Sequence, residues 1–175
     1  MRTLEQQLTN YAAYHRDRRN IATHFVGIPM IVLAAFALLA RPTVALLGLP
    51  LSPALLVFLG GVAFYLALDI RFGLAMLLST APAYGFGVWL AAHDMGTWLG
   101  AGVGLFVIGW VIQLIGHLFE GRKPAFVDDL IGLMIGPLFL VAEAAFAVGL
   151  RPELRDAIEA KAGPTRGGSA PLTSA

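Results

Sequence analysis

Between Phe25 and Phe119 the chain carries only four Asp, Glu, Lys or Arg residues: Arg41, Asp69, Arg71 and Asp94. A soluble domain cannot cover its surface from so few, since globular chains carry roughly 25% charged residues. Over all 175 residues the charged fraction is 13%, the apolar fraction 58% and the mean hydropathy +0.76. The apolar segments lie near 26–41, 52–68, 72–92, 98–119 and 130–150. A helix needs about 20 mostly apolar residues to cross the hydrocarbon. Backbone polar groups in lipid must be paired within the segment, which selects helices, and these segments lack the two-residue alternation of barrel strands. The expected fold is all-α: a polytopic transmembrane helical bundle with about five spans, preceded by an amphipathic N-terminal helix.

Composition also excludes several classes of function. The absence of cysteine removes a disulfide scaffold, a thiolate nucleophile and a thiolate metal site. A net charge of +1 gives no electrostatic basis for binding nucleic acid. Gly100, Gly102 and Gly104 sit in an apolar run, which suits close helix packing better than a phosphate loop, as do Gly132 and Gly136. Neither a Gly-x-Ser-x-Gly elbow nor a His-Glu-x-x-His pair occurs.

Local signals divide the chain further. Pro29 suits the first turn of segment 26–41 and Arg41-Pro42 its end, leaving a short span or a hairpin with residues 43–49. Pro50 and Pro53 predict a turn, and Pro82 predicts a kink. In the first 24 residues Leu4, Leu8, Tyr11 and His15 fall on one stripe, as in an amphipathic helix. The basic residues there imitate a secretory leader, but the leader would be unusually long and the rest is itself membrane-like, so cleavage is not expected. Pro152 opens a short helix with Leu154, Ala157 and Ile158 on one face. From Gly163 the chain is rich in Gly, Ser, Pro and Thr and is expected to be loose. The division is a single membrane domain over 1–150 and a short amphipathic helix with a flexible tail over 151–175.

If all five segments cross, the N-terminal region, the Asp69–Arg71 turn and the 120–129 loop share one side. Seven of the twelve Lys and Arg residues fall there, which makes that side cytoplasmic by a modest margin. His15, His24 and His117 then meet at one membrane face, with Glu120, Asp128 and Asp129, while His93 lies at the other. His15 and His24 are nine residues apart, about 180° around a straight helix. They can share a ligand only if the chain bends between them or partners approach from two sides. Asn20 and His24 share a helix face, as do Gln113 and His117, with Glu120 following. Glu143 lies inside the last apolar segment, where a carboxylate is costly unless paired or protonated. Imidazole and oxygen donors suit Fe(II), Zn(II) or Mn(II). A structural role for each of these polar groups remains open on spacing alone.

Two of these runs carry a resemblance. The run Tyr14–Pro29, containing His15, Asn20 and His24, and the run Gln113–Ala125, containing His117 and Glu120, resemble the Mpo1-like (DUF962) family. The likeness continues through Asp128, Asp129 and Pro137-Leu138-Phe139 to Glu143, covering roughly residues 1–150. It implies a non-haem Fe(II)-dependent dioxygenase of fatty acid α-oxidation, which cleaves a 2-hydroxy long-chain fatty acid with O2 to the acid one carbon shorter. By the same resemblance His15, His24 and His117 are the iron ligands, with Glu120 joining them as catalytic. Asn20, Gln113, Arg122, Lys123, Asp128, Asp129 and Glu143 stand as substrate-binding or supporting groups; of the basic residues Arg16, Arg18, Arg19, Arg122 and Lys123, Arg122 or Lys123 is expected to draw the carboxylate, because their loop follows His117 directly. Characterised relatives point to the endoplasmic reticulum, whereas short length and high Ala and Gly content suit a bacterial inner membrane. Two alternatives stand beside this one: a zinc- or iron-dependent lipid hydrolase, and a non-enzymatic lipid-binding or transport protein.

Overall fold

The computed structural model describes residues 2–46, 49–127 and 129–167. Its elements are α1 (Leu4–Ala12), α2 (Arg18–Ala40), a hairpin of β1 (Val44–Leu46) and β2 (Leu49–Leu51), α3 (Pro53–Leu68), α4 (Ile70–Ala91), α5 (Met95–Glu120), a single 3-10 turn (Ala125–Val127), α6 (Gly132–Ala147) and α7 (Pro152–Ala162). Apart from the two three-residue strands, paired antiparallel with Val44 opposite Leu51, the fold is all-α, as expected.

The number of spans differs from the expected five. Among the described residues three helices are long and apolar enough to cross a membrane: α2 with 23 residues, α4 with 22 and α5 with 26. Helices α6 and α7 supply at most a fourth span as a pair bent by 116°. Helix α3 has 16 residues; at 1.5 Å per residue that is about 24 Å, short of a hydrocarbon core of about 30 Å. Segment 26–41 is longer than expected because its helix starts at Arg18, which leaves Pro29 in the interior rather than the first turn. The hairpin lies beyond α2 and is separate from it.

The described residues form two compact units, one reaching up to Phe25 and resuming at Ile112, the other comprising Val26–Val111. The Val26–Val111 unit is built on small contacts. Phe36, Ala40 and Ala54 are buried together, and the rings of Phe36, Phe58 and Tyr84 lie 5.1–6.3 Å apart. A Cβ on Gly102 would collide with Leu38, and one on Gly109 with Ile31 and the Gly27 carbonyl, so α5 approaches α2 closely there. Gly100 and Gly104, expected in the same role, face open space.

The few charges in this unit work at helix ends. Asp69 caps α4 through the Phe72 N–H, at 3.0 Å. Asp94 accepts from the Thr97 N–H, also at 3.0 Å, and these contacts with Thr97 hold its carboxyl below the usual range. The Arg41 guanidinium lies 4.8 Å over the Trp98 ring. Outward-facing Leu74, Leu78, Val107 and Ile108 are each at least half exposed, a surface suited to lipid and unfavourable in water.

In the other unit α1 packs on α6 and α7, burying Leu4, Leu8, Tyr11, Ile135, Leu138, Phe139 and Ile158. Thr3 and Gln6 form a reciprocal capping box at the start of α1. The expected single N-terminal helix is broken: α1 ends at Ala12 and α2 starts only at Arg18. The segment from Gly163, expected to be loose, is paired as far as Arg166, whose backbone forms a parallel bridge with Asp17. Residues 168–175 of the expected tail lie outside the described residues.

Candidate metal centre

The break between α1 and α2 resolves the angular problem set by the spacing of His15 and His24. His15 sits in the turn after α1 and His24 on the second turn of α2, so their rings meet although a continuous helix would oppose them. His15 is fully buried, and His24 and His117 are 1% and 7% exposed. Ring centroids are 4.6 Å apart for His15 and His24, and 5.0 Å from each of these to His117. One ligand nitrogen from each of the three lies within 4.8 Å of the others.

Hydrogen bonding assigns the tautomers. His15 Nδ1 is 2.7 Å from the Tyr11 carbonyl and His24 Nδ1 is 2.8 Å from the Asn20 carbonyl. A carbonyl only accepts, so each Nδ1 carries the proton and each neutral ring presents a lone pair at Nε2. Those two Nε2 atoms are 3.1 Å apart. Two lone pairs facing each other at that distance need a proton or a cation between them. Burial, and secondarily the neighbouring His24, push the His15 pKa well below its ordinary value, so a proton is disfavoured. A divalent ion bound at about 2.1 Å places adjacent ligand atoms about 3.0–3.4 Å apart. His117 Nδ1 is also buried and has no hydrogen-bond partner among the described residues. Three neutral imidazoles, two of them donating their other N–H to backbone carbonyls, are the donor set that Fe(II) or Zn(II) takes. The residues present fit a divalent metal.

Each ring is held from outside. The Tyr11 ring stacks on His15 at 4.0 Å with an interplanar angle of 4°, and Phe139 adds a tilted contact at 5.8 Å. Gly116 admits α5 against the start of α2, since a Cβ there would collide with Thr23 Oγ1 and Asn20 Oδ1. This places His117, the next residue, beside His24. With Gly102 and Gly109 it forms a seven-residue repeat along one face of α5. Gly121, at φ 67°, ends α5 directly after Glu120.

Glu120 ties the histidine turn together. Its Oε2 accepts from the Arg16 N–H (2.9 Å), the Asp17 N–H (2.8 Å) and Asn20 Nδ2 (3.1 Å), and its Oε1 from Arg166 Nη2 (2.6 Å). The other sequence-selected residues are more dispersed. Gln113 is buried one turn before His117. Arg122 donates to the Ala13 carbonyl at 3.0 Å, two residues before His15, and Lys123 is exposed. Asp129 pairs with Arg2 at 2.6 Å, and Glu143 with Arg16 at 3.5 Å. Asp128 lies outside the described residues. His93 belongs to the Val26–Val111 unit, with Nδ1 at 3.0 Å from the Trp89 carbonyl.

Sequence reasoning missed the stacking of Tyr11 on His15, which their i, i+4 spacing could have signalled. It also missed the Arg16–Glu143 pair and Arg166. The last two join positions more than 40 residues apart in sequence, and no local pattern marks them.

The family model described as "2-hydroxy-palmitic acid dioxygenase Mpo1-like" matches residues 1–148. The chain is similar to the 2-hydroxy-palmitic acid dioxygenase MPO1 of Saccharomyces cerevisiae, at 29% identity over 159 residues that cover 89% of this chain and 87% of the yeast protein. No solved structure matches it. The match spans both histidine motifs and all three clustered imidazoles, and the chain belongs to the Mpo1-like family.

Proposed function

We propose that this chain is a multi-pass membrane, non-haem Fe(II)-dependent dioxygenase that cleaves a 2-hydroxy long-chain fatty acid to the acid one carbon shorter. The observation that carries this reading is the opposition of His15 and His24 Nε2 at 3.1 Å, with His117 completing a buried triad of imidazoles. Bound there, Fe(II) supplies the one-electron chemistry that lets O2 react with an organic substrate. The reaction balances without a co-substrate: R–CH(OH)–COOH + O2 gives R–COOH + CO2 + H2O. The C1–C2 bond breaks, and the substrate itself supplies the electrons that reduce O2.

The chain's own residues position and shield. Three uncharged ligands leave the full charge of a dication uncompensated, which favours an anionic substrate. Tyr11 and Phe139 fix the His15 ring plane. Glu120 and Asn20 hold the 15–17 turn in place and act by positioning. Gln113, one turn before His117, is the amide best placed to meet a substrate on that helix face. Arg122 and Lys123, on the loop after His117, draw the carboxylate. Asp129 and Glu143 support through their pairs with Arg2 and Arg16, and Asp128 keeps the supporting role that the motif implies. The acyl chain remains among apolar helices while its polar head reaches the triad. A bacterial inner membrane is the compartment that composition favours.

The test is anaerobic purification with Fe(II), followed by mass analysis of products from 2-hydroxy and unhydroxylated acyl acids with and without O2. The expected result is about one iron per chain and an acid one carbon shorter, formed only from the 2-hydroxy acid and only with O2. Three histidines also make a zinc hydrolase set; turnover that continues without O2 would establish that reading instead.

A further inference from the structure

The segment after α7 lies beyond the residues 1–148 matched by the family model, yet it is bonded to the turn that carries His15. The Arg166 N–H donates to the Arg16 carbonyl at 2.6 Å, and the Arg18 N–H donates to the Arg166 carbonyl at 3.1 Å. These two bonds straddle Asp17. Arg16 Nη1 donates to the Gly163 carbonyl at 3.1 Å. The Arg166 side chain then reaches across to Glu120 Oε1 at 2.6 Å.

Charge explains why this last contact matters. The Glu120 side chain is 1% exposed, and a buried carboxylate is costly without a counter-charge. The Arg16 guanidinium is committed elsewhere, to Glu143, Gly163 and the carbonyls of Ala12 and His15. Arg166 is the cationic side chain that bonds Glu120 among the described residues. A typical exposed ion pair contributes little. This one joins a half-exposed arginine to the buried carboxylate that holds the backbone of Arg16 and Asp17.

We propose that Gly163–Arg166 is a strap that fixes the metal centre, and that Arg166 is a positioning residue which neutralises Glu120 and so sets where His15 stands relative to His24 and His117. This rests on the triad being a metal site. Arg166 touches neither substrate nor metal; it acts through Glu120 on the His15 turn, and groups behind metal ligands commonly change metal affinity by about 10–100-fold.

The experiment uses the full chain in detergent, titrated with Co(II), whose visible absorption reports ligand geometry. Wild type is expected to bind about one equivalent, and to lose it in H24A. Arg166→Ala is expected to weaken binding by about 10–100-fold and to alter the visible spectrum, with Arg166→Lys recovering most of both. Should R166A not fold, R166Q, which removes the charge but keeps a hydrogen-bonding head, is read in its place. Wild-type affinity and spectrum in the variant read would overturn the strap, and an R166K as weak as R166A would overturn the role of charge. Wild type that binds no Co(II) would defeat the metal reading itself, an outcome distinct from either.

Discussion

The two units of this protein solve opposite problems with polar groups. Val26–Val111 has few of them and places them at ends: Asp69 and Asp94 cap helices, and Arg41 lies over Trp98. Its outward side chains are apolar and its close contacts are made by glycine. The other unit buries His15, Arg16, Asp17, Asn20, His24, His117 and Glu120 and connects most of them by hydrogen bonds. The first arrangement is what a lipid solvent demands of any chain. The second is costly unless every member is satisfied, and the imidazole nitrogens that the network leaves over converge at the His15–His24–His117 centre. Sparse polarity indicates the solvent, and dense buried polarity indicates the chemistry.

The largest expected effect tests the dense unit. His24→Ala or His117→Ala should reduce metal content from about one ion per chain to near zero and abolish product formation. Phe58→Ala, in the other unit, should leave metal content unchanged. Elemental analysis of purified protein reads both, and metal retained in H117A would break the contrast.

Next comes the sparse unit. Leu78 is 75% exposed on α4. If that surface meets lipid, Leu78→Arg costs about 2.5–3.5 kcal/mol and should lower the membrane-inserted yield. On a water-facing helix the same change would be nearly neutral.

A smaller effect separates glycines of the same helix. Gly116→Ala forces a Cβ into Thr23 and Asn20 and should cost about 1–3 kcal/mol, with weaker metal binding. Gly104→Ala meets open space and should be neutral, or stabilising by up to about 1 kcal/mol. Thermal unfolding of the two variants in one detergent makes the comparison.

The smallest effect is in pH. Burial keeps His15 neutral in the folded chain, with its pKa well below the ordinary value. An unfolded histidine takes up a proton near pH 6.5. The stability of the metal-free protein is therefore fully present above that value and declines as pH falls below it, because only the unfolded chain gains the proton. Thermal melts of metal-free wild type from about pH 7.5 to 5.5 should show the decline, and His15→Phe should lessen it.

What was legible in the sequence follows the same division. Hydropathy marks α2, α4 and α5 because one lipid environment acts on every residue of a span. It overcounts at 52–68, where α3 is apolar but only 16 residues long, and at 130–150 it marks a 16-residue helix that makes at most a bent span together with α7. Helix ends were harder to read: Pro29 suggests a start, yet α2 begins at Arg18 and carries Pro29 in its interior. Topology grouped the three histidines at one membrane face, but the two motifs were needed to read them as one ligand set, since spacing alone set His15 and His24 on opposite faces of a straight helix. Arg166 and the Arg16–Glu143 pair depend on tertiary approach between distant segments. The tail composition that predicts looseness says nothing about a single arginine finding a buried carboxylate.

The triad takes two of its nitrogens from near the start of the chain and the third from beyond its midpoint. An ion seated there latches shut a loop containing over half the 175 residues. Closing a loop of that length removes unfolded-state entropy on the order of 4 kcal/mol, by analogy with a covalent cross-link. Metal supply would then govern the protein's lifetime, because the unlatched form opens more readily to proteases.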